Sequence, residues 1–227
     1  MSRQENKRFL ISVADPRSPI SEAYRSLRTN IDFSSIDEKI QVILVTSAGP
    51  GEGKSTTIGN LAVTYAQSER KVVLIDADMR KPTEHHTFDV SNRIGLSSIL
   101  SQQSSLDNAI QATNIENLSI ITSGPIPPNP AEMMASKRME TLLQDLKNRF
   151  DIVLIDSPPL LAVTDAQIIS TKVDGVIFVM DQGKVKRDIA RKAKSGLDKV
   201  GARILGVVLN NIKRQKNEGY YYYYGNS

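Results

Sequence analysis

The sequence predicts an α/β fold with a mostly parallel central sheet covered by helices on both faces. Short β-branched runs alternate with longer helical patterns along the chain, the order that such a layered fold requires. The runs, among them 42–45, 72–75, 152–155 and 176–180, are apolar throughout rather than alternating, as suits strands buried on both faces. At 227 residues the chain is long enough to bury one large core, and no second domain is required.

Strands are expected at 41–46, 71–76, 118–122, 151–156, 174–180 and 203–209, and helices at 19–34, 55–68, 131–148, 163–172 and 186–200. The segment 124–130 reads G-P-I-P-P-N-P; its four prolines cannot continue a helix or donate into a central strand, so it is expected as a stiff loop before the next helix. Residues 1–212 thus read as one domain. Residues 213–227 carry five consecutive tyrosines, Tyr220, Tyr221, Tyr222, Tyr223 and Tyr224, without any alternation to embed them, and are expected to form a mobile tail.

Composition removes several function classes. The chain has no cysteine, which excludes disulfides, thiolate catalysis and cysteine metal sites. The two histidines, His85 and His86, are adjacent, and adjacent residues on a loop or helix are expected to point in different directions, so no zinc site is expected. No apolar run approaches the roughly 20 residues of a membrane span, and the polar start of the chain does not read as a secretory signal, so a cytoplasmic protein is expected. The net charge of +4 is unevenly spread: residues 184–203 hold eight basic side chains against two acids. That stretch reads either as a solvated helix face or as a patch for an acidic partner or membrane surface. No reader motif accompanies it, and nucleic acid is not expected as a partner.

After the first expected strand comes T-S-A-G-P-G-E-G-K-S-T, followed by a helical pattern, which is the setting of a P-loop. Gly49, Gly51 and Gly53 allow backbone N–H groups to turn toward phosphate oxygens, and the next helix adds its positive end. Lys54 is placed to reach the β- and γ-phosphates of ATP and the Ser55 hydroxyl to ligate Mg²⁺. Gly49, Gly51, Glu52, Gly53, Lys54, Ser55 and Thr56 are the candidate nucleotide contacts of a P-loop NTPase. Ala48 stands where the strict pattern has glycine.

Two more expected strands end in carboxylates, and parallel strands bring those ends to the edge that carries the P-loop. One runs into Asp76-Ala77-Asp78-Met79-Arg80, the other into Asp156-Ser157-Pro158-Pro159. Asp156 has the form of a Walker B aspartate, which holds Mg²⁺ directly or through water. Asp76 and Asp78, two apart, share a side if the strand geometry persists; one then sits near the metal while the other accepts a proton from an attacking hydroxyl.

Taken together, the P-G-E-G-K-S loop, V-V-L-I-D-A-D-M-R-K-P, S-G-P-I-P-P-N-P, V-L-I-D-S-P-P and the tyrosine-rich end resemble the bacterial tyrosine kinases of capsule and exopolysaccharide co-polymerase systems, in the stand-alone form of Gram-positive bacteria. The resemblance runs over nearly the whole chain. It implies that Lys54, Asp76, Asp78 and Asp156 are catalytic, with Asp76 as the base toward a tyrosine hydroxyl, and that Ser55, Asp78 and Asp156 hold Mg²⁺. It implies that Arg80 orients the acidic loop and that Tyr220 to Tyr224 accept phosphate from ATP in trans. Glu22, Arg25 and Arg28 match the family's E-x-x-R-x-x-R ring-forming helix, although their spacing alone suits an exposed salt-bridge stripe. Asn210, after the last strand, resembles the adenine-recognising position of related ATPases; a strand-terminating turn asparagine is the alternative.

The resemblance further implies a transmembrane activator whose cytoplasmic tail recruits the chain to the inner face of the membrane, a homo-oligomeric ring, protein-tyrosine substrates and a cognate phosphatase. Three rival functions share the motifs. A deviant Walker ATPase switch carries a signature lysine where this chain has Gly49. A non-catalytic scaffold has no need of a proton acceptor beside the γ-phosphate, and a small-metabolite kinase leaves the tyrosines unexplained.

Overall fold

The computed structural model describes residues 9–35 and 38–212. The tyrosines Tyr220 to Tyr224, with the whole of the 213–227 tail, lie outside the described residues. The strands are β1 (Val42–Ser47), β2 (Val72–Asp76), β3 (Gln111–Ala112), β4 (Leu118–Ile121), β5 (Ile152–Asp156), β6 (Gly175–Asp181) and β7 (Ile204–Asn210). They form one sheet in the order β3-β4-β2-β5-β1-β6-β7. Every pairing is parallel except the short β3–β4 ladder at one edge.

The helices are α1 (Ile11–Ala14), α2 (Pro19–Asp32), α3 (Lys54–Ala66), α4 (Glu84–Phe88), α5 (Leu96–Leu100), α6 (Leu106–Ala109), α7 (Pro130–Ala135), α8 (Lys137–Arg149), α9 (Asp165–Ser170) and α10 (Arg187–Asp198). Alternate residues of the central strands feed two separate cores, as strand geometry demands. Ile43, Val45, Leu74, Leu154 and Val179 pack with Ile58, Leu61 and Ile31 of α3 and α2. Leu44, Val73, Val153 and Phe178 pack on the other face with Leu142, Ile169 and Leu197 of α8, α9 and α10. The first strand thus lies near the middle of a two-faced sheet.

The start of β1 is tied down by a half-buried acid. Asp174 accepts from the N–H groups of Gln41 and Val42 at 2.9 and 2.8 Å and from Lys147 Nζ of α8 at 3.1 Å. Burial alone raises the Asp174 carboxyl, but these donors outweigh it and hold it below the usual carboxylate range. This one residue joins the first strand, the lead-in to β6 and helix α8.

The expected strands and long helices are present with ends displaced by a few residues. The helix expected over 131–148 is two helices. Ser136 has extended backbone, ends α7 and caps α8, its hydroxyl donating to Met133 O at 2.7 Å and accepting from Met139 N, an instance of a serine competing with the helix for backbone groups. The helix expected at 163–172 is shorter, at 165–170, and 19–34 ends at Asp32. The sequence reading missed α1, α4, α5, α6 and β3 altogether. Each has five residues or fewer, too short for hydrophobic periodicity to register.

Helix α5 is seated by tertiary contact rather than by propensity. Leu96 N and Ser97 N donate to Thr122 O and Ser123 O just past β4. Gly95 permits this approach, since a Cβ there would lie 2.2 Å from Thr122 O and 2.3 Å from Gly124 N. Gly95→Ala should therefore destabilise the protein by about 1–3 kcal/mol, the usual cost of overpacking. Urea unfolding measures this, and an unchanged midpoint would show that the two backbones can separate freely.

Candidate active site

The ends of three adjacent strands converge at the top of the sheet. Strand β5 lies between β1 and β2, so the loop after β1 faces the two acidic strand ends directly. In the β2–β5 ladder Asp76 and Asp156 are direct partners. Both are fully buried. Neighbouring strands are only about 4.8 Å apart, so two carboxylates share a small, dry volume.

The loop 48–53 wraps over these ends. Gly51 and Gly53 have φ of 74° and 91°, the left-handed region that glycine enters without strain. Gly53 also has no room for a side chain: a Cβ would lie 1.9 Å from Asn210 Nδ2. That amide donates to Glu52 O at 3.2 Å, so the end of β7 braces the loop from beneath. Glu52 folds back to accept from Gly49 N at 2.5 Å. Burial holds its carboxyl above the usual range despite the N–H groups of Gly49 and Ala48.

Lys54 opens α3 and crosses to the acids. Its Nζ stands 3.4 Å from Asp156 Oδ1, 3.5 Å from Asp78 Oδ2 and 3.0 Å from Ser55 Oγ. Burial works against the lysine charge, but Asp156, Asp78 and Asp76 outweigh it and hold the pKa above the ordinary lysine value. Thr56 follows in the first turn, where its carbonyl receives Asn60 Nδ2.

Asp76 and Asp78 differ in their surroundings. Asp76 Oδ1 accepts from Asp78 N at 3.1 Å, while Oδ2 accepts from Thr83 N and Glu84 N at 3.0 Å each. It therefore ties the acidic loop to the start of α4. Burial, reinforced by the charge of Asp156, pushes the Asp76 carboxyl up to about 7 against those N–H donors and Lys54. Asp78 is slightly exposed, and its Oδ1 takes Lys81 N at 3.0 Å.

Arg80 forms a two-pronged pair with the fully buried Asp165 at the start of α9, at 3.0 and 3.1 Å. Sequence reading gave Arg80 an orienting role but missed Asp165, which is 85 residues away and looks like an ordinary helix-opening acid.

Glu22, Arg25 and Arg28 lie on α2, away from the strand ends. Arg25 pairs with Glu22, Nε to Oε2 at 2.7 Å, and its Nη1 donates to Pro16 O at 2.8 Å. Arg28 Nη1 instead donates to Thr64 O of α3 at 2.7 Å.

A family profile described as an AAA domain matches residues 40–206. The chain is 47% identical over 217 residues to tyrosine-protein kinase YwqD of Bacillus subtilis (strain 168), covering 96% of this chain and 92% of that one. The chain belongs to the bacterial tyrosine kinases. Among solved structures, the chimerical protein CapA2B2 superimposes with a TM-score of 0.88 at 43% identity over 92% of each chain. The septum site-determining protein MinD complexed with Mg-ADP, from Pyrococcus horikoshii OT3, is more distant, with a TM-score of 0.66 and 26% identity over 78% of this chain and 72% of that one. The kinase therefore shares the layered P-loop fold with a nucleotide-binding ATPase while its sequence lies with the tyrosine kinases.

The buried acid has a consequence for the free protein. A carboxyl whose pKa rises on folding contributes stability that is complete below its unfolded value, near 3.8, and that is lost as pH climbs to about 7. Lys54 offsets this loss. Lys54→Met should therefore lower the thermal midpoint of the nucleotide-free kinase by several degrees more at pH 8 than at pH 5, as followed by circular dichroism; equal shifts at both values would mean that Lys54 does not compensate the buried acids.

Proposed function

We propose that this kinase uses ATP and Mg²⁺ to phosphorylate tyrosine, that Tyr220 to Tyr224 of a neighbouring copy are its first substrates, and that it regulates capsule or exopolysaccharide synthesis. The observation that carries the reading is the meeting of Lys54 with Asp76, Asp78 and Asp156 beneath the phosphate loop. With all three carboxylates ionised around one ammonium the formal charge is −2, which one Mg²⁺ would neutralise. Mg²⁺ takes much of its shell from phosphate and water, so few side-chain oxygens are needed to hold it.

Each residue then has a chemical task. The N–H groups of the loop at Gly49, Gly51 and Gly53 cradle the phosphates, with the positive end of α3 behind them. Lys54 turns from the acids toward the β- and γ-phosphates, and Thr56 lies beside the cradle. Ser55, Asp78 and Asp156 would hold Mg²⁺, which would supply positive charge against the negative charge that develops on the phosphates. Asp76 takes the proton of the tyrosine hydroxyl as its oxygen bonds to the γ-phosphorus and the bond to the ADP oxygen breaks. Arg80, held by Asp165, keeps the acidic loop in place. Asn210 supports the loop and lies where adenine is recognised in related ATPases.

The ring, the transmembrane activator, further protein-tyrosine substrates and the cognate phosphatase belong to the same proposal. Glu22, Arg25 and Arg28 would reach a neighbour from α2 by exchanging their present contacts within the chain. Among the described residues no helix is long and apolar enough to cross a membrane, and an activator's tail would supply recruitment to the inner membrane face. The ATPase-switch alternative is not favoured, because Gly49 stands where its signature lysine belongs.

A mixing experiment tests the chemistry and its direction. A chain with Lys54→Met and intact tyrosines is incubated with Mg²⁺-ATP and an active chain in which Tyr220 to Tyr224 are phenylalanine, with the activator tail supplied. Mass spectrometry should find phosphate on the tyrosines of the inactive chain. Asp76→Asn in the active chain should slow that transfer by about 10²–10⁴-fold, as loss of a general base does. ATP hydrolysis without phosphotyrosine would replace the kinase reading with an ATPase switch, and phosphate appearing only when both features share one chain would replace trans with cis transfer.

A further inference from the structure

The outer edge of the sheet is built differently from its centre. Strands β1, β2 and β5 are buried along their whole length, whereas Val207 and Leu209 of β7 are each 51% exposed. Helix α10 covers β6 and β7 only in part: Ala193 and Leu197 are buried, but toward its first turns a groove of about 210 Å³ opens between helix and sheet. Its floor is Phe178, Met180, Ile204 and Val207. Its rim carries three cations of α10, namely Arg187, Arg191 and Lys194. This groove is smaller than the roughly 300–1,000 Å³ of sites that take a whole small molecule. It has the dimensions of a single side chain.

The rim cations are weakly engaged. Arg191 stands 3.9 Å from Asp188 and Lys194 2.7 Å from Asp198, both on the helix surface. Exposed pairs of this kind contribute little, and Arg187 has no carboxylate partner among the described residues. An apolar slot ringed by cations calls for a ligand with a flat apolar body and an anionic tip. Phosphotyrosine is such a group: its ring rests on the floor and its phosphate, with nearly two negative charges, engages guanidinium groups in charge-assisted pairs.

We propose that this groove is a phosphotyrosine site and that its occupant is the chain's own modified tail. The tail follows directly from the strand that lines the groove. Val207 lies five residues before Ile212, about 17 Å along an extended strand. Tyr220 lies eight residues beyond Ile212, a reach of up to about 29 Å. The tail therefore has length enough to turn back along the open edge of β7, and the groove takes one phosphotyrosine of the run. Docked there, a modified tyrosine is held on the surface of its own chain. The proposal rests on the kinase reading only for the origin of the phosphate.

The test supplies the phosphate synthetically, so that it stands apart from any catalytic failure. The host is the full chain with Tyr220 to Tyr224 changed to phenylalanine, and the probe is a fluorescent peptide of residues 217–227 carrying phosphate on Tyr222. Anisotropy should show binding that weakens steeply with salt, and none for the unphosphorylated peptide. Arg187→Gln with Arg191→Gln should weaken it about tenfold or more, the equivalent of losing one charge-assisted contact. Both arginines are on the surface, and an unchanged thermal midpoint confirms that the variant is folded. A chain that carries genetically encoded phosphotyrosine at position 222 should bind the probe at least several-fold less well than the host. Equal binding of both peptides, indifference to the arginine pair, or undiminished binding by the phosphotyrosine-bearing chain would each overturn the proposal. So would a result in which the pair governs binding to phosphatidylserine vesicles but not to the phosphopeptide, since that would make this a membrane face.

Discussion

The constraint on which this architecture turns is the pairing of Asp76 with Asp156 across adjacent parallel strands. Like charges this close in a buried setting repel by several kcal/mol at an effective dielectric near 20, and a lysine at 3.4 Å returns about 5 kcal/mol on the same scale. The surrounding features read as responses to that imbalance. Lys54 reaches into the acids, three backbone N–H groups converge on Asp76, and its carboxyl retains a proton up to about pH 7. A sheet selected for stability alone would place valine or isoleucine at both strand ends. The paired acids are therefore a cost to the free fold, which points to a role other than stability.

Much of this was legible in the sequence because it is local. The P-loop signature is carried by consecutive residues, and each acidic strand end follows an apolar run that announces its strand. Parallel topology then brings the ends together without further information, since every strand presents its C-terminus to the same edge. What could not be read depends on contacts between distant residues. Asp165 gains its meaning only from Arg80, and Asn210 from the space under Gly53, where a single added carbon would collide with its amide. Helix α5 exists because two backbones can touch at Gly95, and nothing in L-S-S-I-L itself demands a helix.

The residues of α2 show the opposite limit. Spacing alone suggested a surface salt-bridge stripe, and in the folded chain Arg25 does pair with Glu22 on an exposed helix face. Arg28, at the same spacing, departs from that stripe to hold a carbonyl at the end of α3. A contact of this kind is worth about 1.5–3 kcal/mol when a charged donor is used. Any assembly through this helix must therefore offer Arg28 at least as good an acceptor, or leave it where it is and recruit Arg25, whose surface pair is cheap to exchange.

Burial across the sheet is graded, and the gradient has a functional logic. The central strands must hold charges in fixed positions, which requires dense packing on both faces. Strand β7 has a double duty: its last residue braces the phosphate loop through the Asn210 amide, while its outer side chains remain open beside the basic helix. The open edge of β7 and the residue that braces the loop therefore belong to one short strand. The fold thus keeps the paired acids at the buried centre of the sheet and leaves its open surface to the peripheral strand.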